Sequence, residues 1–200
     1  MKWRAAESGD FQRPDPGTYP GRCVRIVDIG TQHGEYQGKP TARRQCIISW
    51  ELPDELIPEG ESAGQPYLVS KYYTQSLSDK ANLRQDLTSW RGRDFTPEEL
   101  EGFDPKNILG KPCLVTLVGT PTARVKVSGV ASVPKGMVVK PQFNPSIFFS
   151  LEPDEFDSAA LGMLSDWCRE TITKCPEYRA LMNGGSSEAS APHDGPDIPF

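Results

Sequence analysis

Apolar residues in this chain come in short runs that alternate with polar residues and end at glycine or proline. Residues 22–29 show the pattern best, because β-branched side chains dominate the run and Gly21 and Gly30 flank it. The chain has 19 prolines and 18 glycines, while only 36% of its residues are hydrophobic. Such a chain favours short strands and many turns over a bundle of helices.

The same pattern predicts further strands along the chain. We expect them at 42–52, 66–74, 112–118 and 123–133, with a last one at 144–151, a hairpin loop at 33–40 and an acidic loop at 53–64. In the third strand, Leu68, Ser70 and Tyr72 fall on one face, and the residues between them on the other.

Helical periodicity predicts a few helices. Leu83, Leu87 and Trp90 form one apolar stripe, which indicates a helix at 79–90 with Ser78 as its N-cap. Two more helices are indicated by the Thr96-Pro97-Glu98-Glu99 capping box and by the apolar spacing within 158–174, with Gly92 and Pro176 as stop signals.

This order of elements is that of an OB-fold, which has a helix between its third and fourth strands. We therefore predict a mainly β, OB-fold-like five-stranded Greek-key barrel at 17–182, with a helical insertion and a C-terminal helix. A flexible arm at 1–16 and a disordered tail at 183–200 complete the chain. Another α+β sheet packed on helices is the alternative, because strand order does not follow from a single sequence.

The chain ends in Asp197, Ile198, Pro199 and Phe200, behind a linker without large apolar residues. Such a linker buries too little surface to order itself. Phe200 suits an apolar pocket of a partner protein, while its carboxylate, Asp197 and Asp194 suit Arg or Lys. The tip is therefore predicted to bind protein, and the alternative is a frayed terminus that ends in phenylalanine.

The net charge of −5 is unevenly distributed. Residues 1–140 carry +2 and residues 141–200 carry −7. The body of the chain thus permits a basic groove for nucleic acid, because attraction to phosphates is local at physiological salt.

Binding a bare DNA strand requires cations for the phosphates and exposed aromatic faces for the bases. Arg124 and Lys126 alternate with apolar residues, so both cations are expected to face outward. The predicted phosphate contacts are Lys39, Arg43, Arg44, Lys71, Arg124 and Lys126, and the predicted stacking residues are Tyr36, Trp50, Tyr72 and Tyr73. The alternative for each aromatic residue is core packing, which is more common in strands.

Signals for catalysis and for metal binding are weak. The two histidines are far apart, and the five scattered cysteines form no Cys-x-x-Cys pair, which is typical of reduced thiols in a cytoplasmic protein. Asp54, Glu55, Glu59 and Glu61 lie in a loop expected to be solvated. We expect no enzyme activity, metal, cofactor, membrane span or signal peptide; a nuclease with dispersed carboxylates is a distant rival.

The tip resembles the acidic tail of bacterial single-stranded-DNA-binding proteins, which typically ends Asp-Ile-Pro-Phe. Gly195-Pro196 stands where such tails carry more aspartates, which implies weaker binding to the host proteins that read them. From about Gly17 to Tyr178 the body resembles phage and prophage proteins that bind single-stranded DNA or act in replication initiation. The motifs are Gly17-x-Tyr19-x-Gly21, Ile48-x-Trp50-Glu51-Leu52, Lys71-Tyr72-Tyr73-x-x-Ser76-Leu77, Leu83-Arg84-x-x-Leu87 and Trp90-Arg91-Gly92-Arg93-x-Phe95-Thr96.

The resemblance implies an OB-fold and sequence-tolerant binding of single-stranded DNA during phage replication or recombination in a bacterial host. With the residue pattern, it predicts a non-enzymatic strand-coating protein whose tip recruits replication or repair proteins. The alternative is an adaptor or inhibitor that captures a host replication protein through its tail and binds no DNA. A homodimer stays among the alternatives for its oligomeric state.

Overall fold

Antiparallel strands make up most of the regular structure. A computed structural model describes residues 13–120 and 125–184, apart from the Tyr36 side chain. Within this part of the chain, the strands are β1 (Gly17–Tyr36), β2 (Lys39–Leu56), β3 (Pro66–Thr74), β4 (Pro112–Gly119), β5 (Val125–Ala131) and β6 (Ile147–Phe149). The helices are α1 (Asn82–Arg91), α2 (Pro97–Glu101), α3 (Ser158–Gly162), α4 (Asp166–Lys174) and α5 (Pro176–Gly184), with a 3₁₀ turn at Pro105–Ile108. The prediction of a mainly β chain is confirmed.

β1 and β2 are longer than predicted and form a hairpin. β1 continues through the first half of the segment predicted as a loop, and only Gln37 and Gly38 separate it from β2. These two residues have φ of 51° and 75°, as two-residue hairpin turns of type I′ require. The pairing of the two strands satisfies the backbone of a segment whose glycines suggested a longer loop.

The sheet places β1 at its centre. The main strands are hydrogen-bonded in the order β3-β2-β1-β4-β5, and the short β6 also pairs with β1. The antiparallel register of β1 and β4 sets Tyr19 opposite Val115. β4 and β5 are also antiparallel, with a shift in register between Thr116 and Leu117. β3 and β5 are the two edge strands, and pairing does not close the sheet between them.

The described residues divide into two compact units. The first unit contains residues 13–27, 46–120 and 125–148, and the second contains residues 28–45 and 149–184. β1 and β2 each contribute residues to both units.

The core of the first unit combines the inward side of the main strands with α1. Trp50 is 1% exposed and meets Trp90 edge to face, with ring centroids 6.2 Å apart. Leu87 and Trp90 are the buried residues of α1, which confirms the predicted apolar stripe. Aromatic pairs in this geometry add to the stabilisation from burial.

The start of α1 differs from the prediction. The helix begins at Asn82 after Ala81, which makes no side-chain capping bond, so Ser78 is not the N-cap. Asp79 instead pairs with Arg84, at 2.5 Å between Oδ1 and Nη1.

The predicted signals at the end of α1 and the start of α2 are confirmed. Gly92 follows α1 with φ of 68°, a left-handed conformation that ends the helix. Thr96 Oγ1 accepts a hydrogen bond from Glu99 N, and the Glu99 carboxylate accepts one from Thr96 N, which completes the capping box.

Two charged side chains hold a long loop at 132–146 in the first unit. Arg22 donates to carbonyl oxygens of the loop, and the fully buried Glu51 accepts from its amides. The bonded atoms are the oxygens of Val139 (2.8 Å) and Lys140 (2.6 Å), and the nitrogens of Phe143 (2.6 Å) and Asn144 (2.8 Å). These bonds satisfy backbone groups that a loop of this length cannot pair within itself.

The helix predicted at 158–174 is two helices in the second unit. Ser165 separates α3 from α4 and caps α4 by accepting from Cys168 N at 3.4 Å. The stop predicted at Pro176 is confirmed, because α4 ends at Lys174 and Cys175, the residue before the proline, is extended. Pro176 also begins α5, since proline fits the first turn of a helix. Asn183, which the sequence placed in the disordered tail, belongs to α5.

Aromatic packing and ion pairs hold the second unit together. Phe156 contacts both Phe149 and Tyr178, with ring centroids 5.9 and 6.2 Å apart. Arg44 binds the nearly buried Asp28, with Nη2 2.5 Å from Oδ2.

Candidate nucleic-acid interface

The outward side of β3 carries the most exposed predicted stacking residue. Tyr72 is 53% exposed and Leu68 43%, with the exposed Ser70 between them. The alternation of side chains along a strand forces these residues to one side, because Tyr67, Val69, Lys71 and Tyr73 occupy the other. The row therefore presents an aromatic ring, a hydroxyl and an aliphatic side chain to solvent.

A pair of hydroxyl groups joins this row to β2. Ser70 Oγ lies 2.8 Å from the Oγ of Ser49, which is 4% exposed. Each hydroxyl is both a donor and an acceptor, so the pair keeps capacity for a further hydrogen bond at the surface. We call Leu68, Ser70, Tyr72 and Ser49 the β3 face.

A groove of about 170 Å³ adjoins the β3 face, between the edge strands β3 and β5. Arg13, Tyr67 and Val125 are among the residues that line it. Lys71 connects the two strands, because its Nζ donates to Ser128 O at 2.9 Å. The groove thus offers an aromatic ring and a cation beside Leu68 and Ser70 of the β3 face.

Of the two cations predicted on β5, only Lys126 lies in the described part of the chain. Lys126 is exposed, and its neighbour Val127 is buried, as the alternation predicts. Arg124 lies outside the described residues. Lys126 is therefore a cation on the outward side of the first unit.

The other predicted cations belong to the hairpin in the second unit. Lys39 and Arg43 are exposed near its turn. Arg44 is only half exposed and pairs with Asp28 and Glu152, so its charge is largely used within the protein. The Tyr36 side chain is outside the described part of the structure.

Two predicted stacking residues are core residues instead, and the prediction for them is wrong. Trp50 and Tyr73 are 1% and 3% exposed, which leaves no ring face for a base. Tyr73 donates its hydroxyl hydrogen to Asp86 Oδ2 at 2.6 Å. Burial is the main cause, and this hydrogen bond the second, of a pKa for Tyr73 that is far above the usual range.

Lys71 is likewise a structural residue. Its Nζ lies 2.6 Å from Asp86 Oδ2, and both side chains are mostly buried. The ammonium also lies 5.3 Å from the centre of the Tyr73 ring. A phosphate would have to displace Asp86 from this cation, so the prediction that Lys71 contacts DNA is not supported by its surroundings.

Three surface residues were not predicted from the sequence: Arg13, Tyr67 and Phe143. Tyr67 and Arg13 line the groove, and Phe143 is 68% exposed on the 132–146 loop. The alternation of side chains along β3 could have corrected one prediction. Adjacent residues of a strand face opposite sides, so Tyr72 and Tyr73 cannot both be exposed to a strand of DNA.

The protein-binding prediction concerns residues beyond the described part. Asp194, Asp197, Ile198, Pro199 and Phe200 all lie outside it. At the start of the segment predicted as an acidic loop, Asp54 forms an ion pair with Lys140, with Oδ1 2.5 Å from Nζ.

Residues 13–120 and 125–184 contain neither a candidate metal site nor a candidate membrane-spanning helix. No group of three or more His, Cys, Asp or Glu side chains in these ranges is arranged to hold a metal ion. No helix there is both long and apolar enough to cross a membrane.

Comparison of the whole chain with protein-family models, with curated proteins and with solved structures gave no match in any of the three.

Proposed function

We propose that this protein binds single-stranded DNA with little sequence preference, through the β3 face and the adjoining groove of its first unit. The observation that carries the proposal is the exposed Tyr72 on an outward row that adjoins a groove lined by Arg13 and Tyr67. Strand binders of this kind combine aromatic platforms for bases with cations for phosphates.

The order of the strands supports an OB-fold-like first unit. OB-folds are partly open five-stranded barrels that bind oligonucleotides on strands 2 and 3 and on the loops after strands 1 and 4. In this chain, β1 lies between β2 and β4, the helices α1 and α2 follow β3, and the unpaired edges are β3 and β5. The β3 face and the groove therefore lie on the strands that such a fold uses for binding.

Each part of the interface has a defined role in this proposal. Tyr72 stacks on a base, a contact worth about 1–3 kcal/mol. Lys126 and Arg13 attract phosphates. Every phosphate contact makes binding weaker as salt rises, because bound counterions are released from the DNA.

Fluorescence anisotropy with labelled oligo(dT) and a matched duplex, at low and moderate salt, tests the proposal. We expect salt-sensitive binding to the single strand and much weaker binding to the duplex. Absence of binding to oligo(dT) at low salt would refute the proposal.

Replacement of Tyr72 with alanine tests the interface itself. We expect Tyr72→Ala to weaken oligo(dT) binding about tenfold, since about 1.4 kcal/mol of stacking corresponds to that factor. Phe143→Ala is the matched control, because Phe143 is an exposed aromatic residue on the 132–146 loop and not on the β3 face. Equal losses in both variants would argue against the β3 face.

We further propose that the tip at Asp197–Phe200 recruits a replication or repair protein. The support is its chemistry, an aromatic residue, Phe200, three positions after the acidic Asp197. Removal of residues 194–200 is expected to abolish capture of such proteins from a bacterial lysate while oligo(dT) affinity stays the same or rises slightly. A large loss of DNA affinity in the truncated protein would contradict a separate role for the tip.

A further inference from the structure

A second cavity, of about 350 Å³, lies beside α1 and α2 in the first unit. None of the residues predicted to contact DNA lines it. Its walls include Arg91, Arg93, Lys111, Glu99, Trp90 and Phe103. The cavity therefore combines several cations with aromatic surface. None of these residues belongs to the β3 face or lines its groove.

One carboxylate is shared by two of these cations. Glu99 accepts from Arg93 at 2.7 and 2.9 Å and also binds the guanidinium of Arg91. The bonds from Arg93, then from Arg91, hold the pKa of Glu99 well below its usual range, so it stays ionised. With Lys111, the lining has three cations against one carboxylate, which leaves a net charge of +2.

Arg91 is held rigidly and retains an unused donor. Its guanidinium carbon lies 4.3 Å from the centre of the Phe95 ring and 5.4 Å from that of Phe103. Its Nη1 is buried and has no hydrogen-bond acceptor among the described residues. A fixed, planar guanidinium is suited to an anion with several oxygen atoms.

We propose that this cavity binds the phosphate monoester of a nucleotide, either free or at the end of a nucleic-acid strand. A phosphate monoester carries about −1.5 to −2 charges at neutral pH, which matches the net charge of the lining. A peptide carboxylate or a phosphodiester within a strand carries only one. The volume is within the range of small-molecule sites, and Phe103 offers an aromatic surface to the base.

The ligand is tested by calorimetric titration of the full chain with dTMP, thymidine, inorganic phosphate and a short acidic peptide. We expect dTMP to bind at least tenfold more tightly than the other three. Failure of dTMP to bind the folded protein, or equal or tighter binding of inorganic phosphate or of the peptide, would overturn the proposal.

The site is tested by variants at its two most accessible cations. Arg93→Gln and Lys111→Gln are each expected to weaken dTMP binding at least tenfold. Both side chains are exposed, so the fold should be preserved, and circular dichroism checks this. Lys135→Gln removes an exposed cation from the 132–146 loop and should bind dTMP as the wild type does. Unchanged dTMP binding in both cavity variants would place the ligand elsewhere.

Oligo(dT) with a 5′-phosphate, a 3′-phosphate or hydroxyl ends distinguishes the two sources of the ligand. Tighter binding of one phosphorylated end, lost in Arg93→Gln, would identify a strand end as the ligand. Binding of dTMP without such a preference would identify a free nucleotide. Binding of the hydroxyl-ended oligonucleotide reports on the β3 face alone, so the two proposals can fail separately.

Discussion

Gly30 shows how a single residue depends on tertiary packing. Its φ is 70°, a conformation that L side chains adopt at a cost. A Cβ at this position would lie 2.4 Å from Cys175 Sγ and 2.7 Å from Cys175 Cβ. The sequence showed only that a glycine flanks a strand, whereas the packing makes glycine necessary there.

Gly30→Ala is therefore expected to destabilise the protein by about 3 kcal/mol, because overpacking against Cys175 adds to the backbone strain of a positive φ. Gly38→Ala is the matched control, because Gly38 has φ of 75° and no atom within 4 Å of an added Cβ. The control should lose only about 1 kcal/mol, from the backbone term. Urea unfolding measures both, and equal losses would show that contact with Cys175 contributes nothing.

At the scale of elements, α5 is attached to β1 by one carboxylate. Glu177 accepts from the Thr31 hydroxyl at 2.5 Å and from the Thr31 amide at 2.9 Å. Burial opposes the charge of Glu177, but the hydrogen bonds outweigh it and lower its pKa from 4.5 to about 2. A group with a lowered pKa contributes its stability above the ordinary value and loses it as the pH falls toward the folded value.

We therefore expect Thr31→Val to expose the pH dependence of this contact. The wild type should be more stable than the variant above pH 5, and the difference should shrink as the pH falls from 4.5 toward 2. Thermal unfolding of both proteins across this range measures it. A difference that stays constant with pH would mean that the carboxylate of Glu177 is not responsible.

At the scale of the whole molecule, none of the five cysteines forms a disulfide, and all five are buried. Burial raises the pKa of Cys23 to about 12 and also raises those of Cys113 and Cys175. Because the thiolate is the reactive form, these cysteines are expected to be unreactive in the folded protein.

Labelling with a thiol-reactive disulfide reagent at pH 8 tests this expectation. The native protein should react at least 100-fold more slowly than the same protein in guanidinium, where all five cysteines should be labelled. Free glutathione serves as the control for the reagent. A thiol that reacts in the native protein as fast as glutathione would contradict its burial.

The helix stripe, the capping box at Thr96 and the left-handed Gly92 could be predicted from the sequence, because each depends on residues within a turn or two of the helix. The first two strands were predicted too short, since hydrogen bonds to a neighbouring strand extend β1 and β2 through glycine and acidic segments. The last two were predicted longer than β5 and β6 are. The alternation of β3 separated Tyr72 from Tyr73, but it did not show which of the two is exposed.

The sequence by itself determined the kinds of elements, their order and the two sides of each strand, because these follow from short-range sterics and periodicity. Only the tertiary structure decided which side is buried, and it placed Trp50 and Tyr73 in the core. It also paired Lys71 with Asp86 and formed the cavity lined by Arg93. No local pattern in the sequence predicts either feature. Burial and charge pairing depend on partners distant in the chain, and the free energy of those contacts outweighs any local preference.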